Sequence, residues 1–274
     1  MQNDLKPELI FYAGSALLEG PLWDDANNLL YFVSIDDDII YRFDEETTEI
    51  ESYKTDGPVG AAVLDEKGKI ISAEKSGIYS IDPETKERTF LMQPSEDERL
   101  RYNDGKMDPN GRFLIGTMGY EETLEGAASL YAIENGDYKE ILSGLTLSNG
   151  MGWSEDGQTF YHIDTPTKEV KQYDYDLETA KVSHVRTAIE ITGDGSPDGM
   201  CVDVDENIWV AEFGGKRICK WDPETGEQLV EIPMPVTNIT SCCIGGPDKN
   251  YLYITTGQKD DEPLSGGLFK VKIR

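Results

Sequence analysis

Asp198-Gly-Met-Cys-Val-Asp203 opens a stretch that reads as four short runs: Gly199 to Val204, Ile208 to Phe213, Arg217 to Trp221, and Gln228 to Ile232. Apolar and polar residues alternate within the runs, and turn-forming clusters separate them every eight to twelve positions, which is the pattern of β-strands. Between the third and fourth runs, Lys220-Trp-Asp-Pro223 drives an aromatic-bearing strand into an acidic turn. Asp and Pro preset a β-turn there, so the stretch predicts one four-stranded antiparallel unit.

The same unit recurs along the chain. A short polar residue or Gly is followed five positions later by Asp, Ser or Gly, then a turn and an apolar strand: Glu19 to Asp24, Gly60 to Asp65, Asn103 to Asp108, Asn149 to Ser154, Asp198 to Asp203 and Thr240 to Gly245. The openings at 19, 60, 103, 149, 198 and 240 are spaced 41, 43, 46, 49 and 42 residues apart, the period of propeller blades. The acidic hairpin returns at Phe43-Asp44, Ile81-Asp82 and Tyr175-Asp176. No segment carries a helical period long enough to compete. The reading is an all-β, six-bladed β-propeller of four-stranded antiparallel blades, whose radial stacking leaves only short edges. Glu8-Leu-Ile-Phe-Tyr12 has strand character, and Gly267 to Ile273 ends the chain with another strand. The N-terminal strand is therefore expected to join the last blade and close the ring, making residues 1–274 one domain.

The formal charge of −28 argues against a nucleic-acid footprint or an anionic membrane as partner. A solvated acidic surface is the simpler account, because Glu45-Glu46, Glu121-Glu122 and most other acids fall in expected turns; gathering of divalent cations near the axis is the sharper one. No transmembrane-length apolar run occurs, and Met-Gln-Asn-Asp-Leu-Lys lacks the pattern of a secretory leader, so a cytoplasmic protein is expected. Cys201, Cys219, Cys242 and Cys243 match no zinc spacing and are read as buried free thiols. His162, beside Phe160-Tyr161, is read as a packing histidine, leaving little support for a Ser-His-Asp triad.

Three openings, Glu19, Asn149 and Asp198, bear hard oxygen ligands, and a closed ring would bring them together at its axis. Each alone is also explained as a turn-entering Glu-Gly, Asn-Gly or Asp-Gly pair; their shared repeat position favours a common role. Two carboxylates and one amide carbonyl suit a hard cation, with Ca²⁺ the first expectation and Mg²⁺, Mn²⁺ or Zn²⁺ as alternatives. Three protein ligands leave positions for water and substrate, equipment for hydrolysing an ester or lactone. In that chemistry Asp198 serves as the general base.

Glu19-Gly-Pro-Leu-Trp23, Arg101-Tyr-Asn-Asp-Gly-Lys-Met-Asp-Pro-Asn-Gly-Arg112 with Gly116-Thr-Met118, Ser148-Asn-Gly-Met-Gly-Trp153, Pro197-Asp-Gly-Met-Cys201 and Thr240-Ser-Cys-Cys243 together resemble the senescence marker protein, gluconolactonase and luciferin-regenerating enzyme family, which includes regucalcin. The resemblance spans the chain and implies a six-bladed propeller with one divalent metal in its central channel, acting on a small sugar lactone without an obligate protein partner. It implies Glu19, Asn149 and Asp198 as metal ligands, Asp198 as catalytic acid/base, and Arg101 and Asn103 as substrate contacts. The family often has a further substrate-facing Glu after Thr117-Met118; Glu121 or Glu122 is the counterpart here, in a register shifted by Gly119-Tyr120. Two other activities resemble the same pattern: a calcium-binding regulatory propeller, and a phosphotriester hydrolase of the diisopropylfluorophosphatase kind.

Overall fold

The computed structural model describes residues 5–274, so the first four residues of the Met-Gln-Asn-Asp-Leu-Lys opening lie outside the described part. Among the described residues there is no α-helix, and none is long and apolar enough to cross a membrane. Strand β1 (Glu8–Tyr12) precedes a four-stranded antiparallel sheet of β2 (Leu18–Asp24), β3 (Leu29–Ser34), β4 (Ile39–Phe43) and β5 (Ile50–Lys54). The next sheet holds β6 (Val59–Leu64), β7 (Ile70–Glu74), β8 (Gly77–Ile81) and β9 (Arg88–Met92). A third holds β10 (Leu100–Met107), β11 (Phe113–Gly119), β12 (Ala128–Glu134) and β13 (Asp137–Leu145). The fourth holds β14 (Ser148–Trp153), β15 (Thr159–Asp164), β16 (Glu169–Asp176) and β17 (Lys181–Glu190). The remaining strands form an eight-stranded sheet: β18 (Ser196–Val202), β19 (Ile208–Phe213), β20 (Arg217–Trp221) and β21 (Gln228–Pro233), then β22 (Asn238–Gly245), β23 (Tyr251–Gly257), β24 (Gly267–Lys272) and β1.

The architecture is all-β and propeller-like. The first strands of successive units pack side by side, β2 on β6, β6 on β10, β10 on β14, β14 on β18, β18 on β22 and β22 back on β2. Apolar clusters fill the spaces between neighbouring sheets; Tyr31, Val33 and Tyr53 meet Val59, Ala62 and Ile70 in one of them. Each large side chain buried in this way contributes roughly 1.5–3 kcal/mol.

The repeat has a local cause at each turn. Asp65 Oδ1 accepts backbone N–H groups from Lys67 and Lys69, Asp108 Oδ1 from Asn110 and Arg112, and Asp203 Oδ1 from Asp205 and Asn207. The outer hairpins use the same device, with Asp44, Asp82, Asp176 and Asp222 each accepting the N–H two residues on. A short acceptor at that spacing replaces the lost ladder bonds, which is why the sequence marks the turns so plainly.

The ring closes through the N-terminal strand, as the sequence led us to expect. Strand β1 runs antiparallel to β24, with Glu8 opposite Lys270 and Tyr12 opposite Gly267. Phe11 packs its ring against Phe32, Tyr41 and Phe43 at centroid distances of 5.9, 5.7 and 5.9 Å. Strand β18 begins at Ser196, three residues before the run read from sequence, because Ser196 and Pro197 pair with Phe213 and Glu212 ahead of an irregularity at Asp198.

Candidate axial site

Every innermost strand breaks register near its opening. The irregularity lies between Glu19 and Leu22 in β2, Val59 and Ala61 in β6, Tyr102 and Gly105 in β10, Ser148 and Met151 in β14, Pro197 and Met200 in β18, and Ile239 and Ser241 in β22. Extra residues at a bulge turn side chains out of strict alternation and re-aim them. Here Asn103 meets Asn149, and Glu19 comes within electrostatic reach of Asp198. Close packing of neighbouring strands depends on glycine at the next position: a Cβ on Gly150 would stand 2.7 Å from the Asp198 carbonyl oxygen, and one on Gly199 would stand 2.0 Å from Ser241 Oγ.

Glu19, Asn103, Asn149 and Asp198 are all buried, none more than 8% exposed. Asn103 is a connector. Its Nδ2 donates to Asn149 Oδ1 at 3.2 Å and to the Ser148 carbonyl at 2.9 Å, while its Oδ1 accepts from Arg101 Nη1 at 2.8 Å. Asn149 Nδ2 donates to Thr165 Oγ1 at 3.0 Å, and Thr165 in turn donates to the Pro197 carbonyl at 2.9 Å, next to Asp198. Holding the amide nitrogen on Thr165 leaves Oδ1 facing Asn103 with a second lone pair to offer. Glu19 Oε2 accepts the N–H of Gly20 at 2.8 Å.

Burial and mutual repulsion dominate the electrostatics. Glu19 is held well above the usual carboxylate range, first by burial and then by the charges of Asp198 and Asp104. Asp198 is raised for the same reasons, burial first and Asp104 second, with partial relief from Asn149 and Arg101. Asp104 is also raised by burial, and Lys106 and the Gly105 N–H oppose that. Arg101, the guanidinium facing Glu19 and Asp198, is itself lowered by desolvation.

Asp104 is a member that the sequence reading missed. Two consecutive residues of a regular strand face opposite sides, and the irregularity between Tyr102 and Gly105 is what admits Asp104 beside Asn103. Glu121 and Glu122 do not join the axial set. Both are exposed and line a groove of about 670 Å³ with Tyr120, Lys75 and Arg99. His162 is a buried packing residue whose Nε2 bonds Ser148 Oγ at 2.8 Å, and the four cysteines are buried and free.

Two buried carboxylates beside an oriented amide oxygen make a negative, all-oxygen cradle, and a hard divalent cation would relieve the repulsion that lifts Glu19 and Asp198. The donor set fits such an ion through its amide. Among the described residues, no three His, Cys, Asp or Glu side chains form a metal cluster by themselves.

An all-β, propeller-like chain that turns buried oxygen donors inward from its innermost strands defines a class of axial-site proteins. Within it, residues 17–258 match the family described as SMP-30/Gluconolactonase/LRE-like region, and the chain belongs to that family. Regucalcin from Xenopus laevis is 34% identical over 284 residues, covering 98% of this chain and 95% of the relative. A crystal structure of a calcium-binding protein, regucalcin, from Agrobacterium tumefaciens superposes with a TM-score of 0.91 at 25% identity, covering 98% and 96% of the two chains. A luciferin-regenerating enzyme superposes with a TM-score of 0.89 at 26% identity, covering 97% and 95%.

Proposed function

We propose that this chain is a six-bladed, single-domain propeller that hydrolyses a small sugar lactone at a divalent metal held by Glu19, Asn149 and Asp198. Six blades follow if the eight-stranded sheet is divided at its one connecting pair, Phe213 with Asn238, since each half then has four strands. The observation that carries the activity is the buried pairing of Glu19 and Asp198 around Asn149, in a chain whose family includes gluconolactonases.

A bound divalent ion supplies Lewis acidity toward the lactone oxygen and lowers the pKa of water. The chain's own residues do the rest. Asp198 accepts the proton of the attacking water at a carboxylate oxygen and returns it to the ring oxygen as the ester bond opens, leaving an aldonic acid. Burial and the charge of Asp104 raise its proton affinity, and Asn149 and Arg101 oppose that rise. Arg101, joined to Asn103 through the Nη1 to Oδ1 bond, presents its remaining guanidinium donors to the hydroxyls of the sugar ring, and Asn103 Oδ1 offers its second lone pair. Glu121 is proposed to meet the substrate from the groove that it lines with Tyr120, Lys75 and Arg99.

Ca²⁺ is the assigned ion on the strength of the all-oxygen set and of the relative described as a calcium-binding protein. That description favours one further reading, a regulatory calcium binder with hydrolysis incidental. Calorimetry with Ca²⁺, Mg²⁺, Mn²⁺ and Zn²⁺, followed by turnover of D-glucono-1,5-lactone and a panel of aldonolactones with each, separates the two. Turnover that Asp198→Ala abolishes supports the lactonase; tight Ca²⁺ binding with no turnover of any lactone overturns it.

A further inference from the structure

At the end of the ring away from the axial acids lies a cavity of about 500 Å³, lined by the later residues of β2, β10, β14, β18 and β22. Cys201 and Cys243 are on its wall. Cys242 lies just behind, and its Sγ is 3.6 Å from that of Cys201. The two sulfurs belong to neighbouring units, 41 residues apart in sequence.

Their meeting is built into the backbone. Gly199 has no side chain, and a Cβ there would lie 2.7 Å from the Ser241 Cα, so β18 and β22 touch at Gly199 and Ser241. Cys201 and Cys242 follow directly on these two strands. The Lys106 ammonium is fixed nearby, donating to the carbonyls of Met151 at 3.1 Å and Met200 at 2.7 Å. Its positive charge opposes the rise that burial imposes on the Cys242 thiol. Van der Waals contact must close to a bond of about 2.0 Å, which needs side-chain rotation and a small strand adjustment.

We propose that Cys201 and Cys242 are a peroxide-oxidised thiol pair whose disulfide staples β18 to β22. Cys201, on the cavity wall, attacks one oxygen of hydrogen peroxide as its thiolate. The O–O bond breaks, hydroxide leaves as water with the thiol's proton, and Cys201 becomes a sulfenic acid. Cys242 sulfur then attacks the Cys201 sulfur, the S–O bond breaks, and hydroxide leaves as a second water with the Cys242 proton. Two thiols lose two electrons and one peroxide becomes two waters. Cys243 has cavity access without the contact, and Cys219 packs beside Glu212 and Arg217 on another face. This inference is independent of the lactonase reading.

The test treats the full-length folded chain with hydrogen peroxide, quenches with catalase, alkylates the remaining thiols in denaturant and maps non-reduced peptides. Two thiols should be lost, with one linked peptide joining Cys201 to the Cys242-Cys243 segment and released by dithiothreitol. Cys243→Ser should give the same link, and Cys242→Ser should leave a Cys201 sulfenic acid that dimedone traps. The oxidised chain should melt higher by on the order of 5 °C, because a closed 41-residue loop removes entropy from the unfolded state. Four alkylatable thiols after treatment overturn the proposal. So does a link lost in Cys243→Ser, or a sulfinic acid at Cys201 with no linked peptide.

Discussion

Replacing Asp198 with Asn should make the metal-free protein more stable and the enzyme inactive. Glu19, Asp104 and Asp198 are buried together; Asp198 and Asp104 raise Glu19, and Asp104 raises Asp198, beyond the effect of burial. Two like charges about 5 Å apart repel by roughly 3 kcal/mol at an effective dielectric near 20, and removing one recovers a part of this on the order of 1–2 kcal/mol. For a chain of this size that is a rise of about 3–6 °C in melting temperature in the presence of chelator. The sign depends on pH. A carboxylate whose folded pKa lies above its unfolded value near 4 binds its proton more tightly when folded, so the folded state loses stability as pH rises from about 4 through the folded value. The Asn variant escapes that loss at position 198, and its advantage over wild type should be near zero at pH 4 and grow toward pH 7. Differential scanning calorimetry with chelator at both pH values measures the gap, and saturating metal should reverse it by stabilising wild type more. Lactone turnover should fall by roughly 10²–10⁴-fold. A variant that melts lower than chelated wild type at pH 7, with a gap indifferent to pH, would refute the account of a repulsive, cation-seeking site.

Three further outcomes follow from the geometry. Deleting residues 1–14 removes β1 and the Phe11 ring from its three aromatic neighbours, and thermal melts should drop by about 10 °C or more; an unchanged melt would sink the closure role of this strand. Gly150→Ala places a methyl 2.7 Å from the Asp198 carbonyl, so steady-state assays should record at least a tenfold loss of turnover although no proposed ligand is altered. Burial brings the His162 pKa down to about 3, so the wild-type fold is fully supported at this position above the unfolded pKa near 6.5 and loses support as pH falls toward 3. His162→Gln should be destabilised at pH 7, and denaturant titrations should find its deficit shrinking by about 1.4 kcal/mol per pH unit below 6.5.

The repeat was legible because its turns are chemically marked. Asp65, Asp108 and Asp203 close the first hairpin of their units with the same pair of backbone bonds, and Asp44, Asp82, Asp176 and Asp222 close the outer one. Spacing between such marks therefore reads out unit length directly. Glu19, Asn103, Asn149 and Asp198 were legible for a related reason, since they share one position in four marked units. Asp104 was not. A strand read with period two assigns it to the face opposite Asn103, and only the register break shows that both turn inward. The surroundings of Glu121 were not legible, because it lies in a loop whose path is set by tertiary contacts, including the Glu122 carbonyl seated where a Gly119 side chain would be.

A ring of equivalent strands offers six equivalent openings, and a metal with open coordination sites needs unequal ones. The inequality arises where side chains were exchanged without disturbing the backbone. Gly60 sits where a Cβ would meet the Tyr102 carbonyl at 2.4 Å, so it can only be a packing position, and Thr240 donates to the Leu18 carbonyl at 2.6 Å to join the last unit to the first. Those two openings hold the ring together. The other four carry oxygen donors, and Asn103, bonded to Asn149 on one side and Arg101 on the other, divides the proposed ligands from the residues left to meet substrate. Asn103→Ala should therefore affect both functions at once, weakening metal binding through a loosened Asn149 and raising KM through a freed Arg101. Arg101→Ala should raise KM without weakening metal binding measured by calorimetry, because it removes a positive charge that faces Glu19 and Asp198. Equal loss of metal affinity in both variants would mean that Arg101 and Asn103 act on the same side of the site.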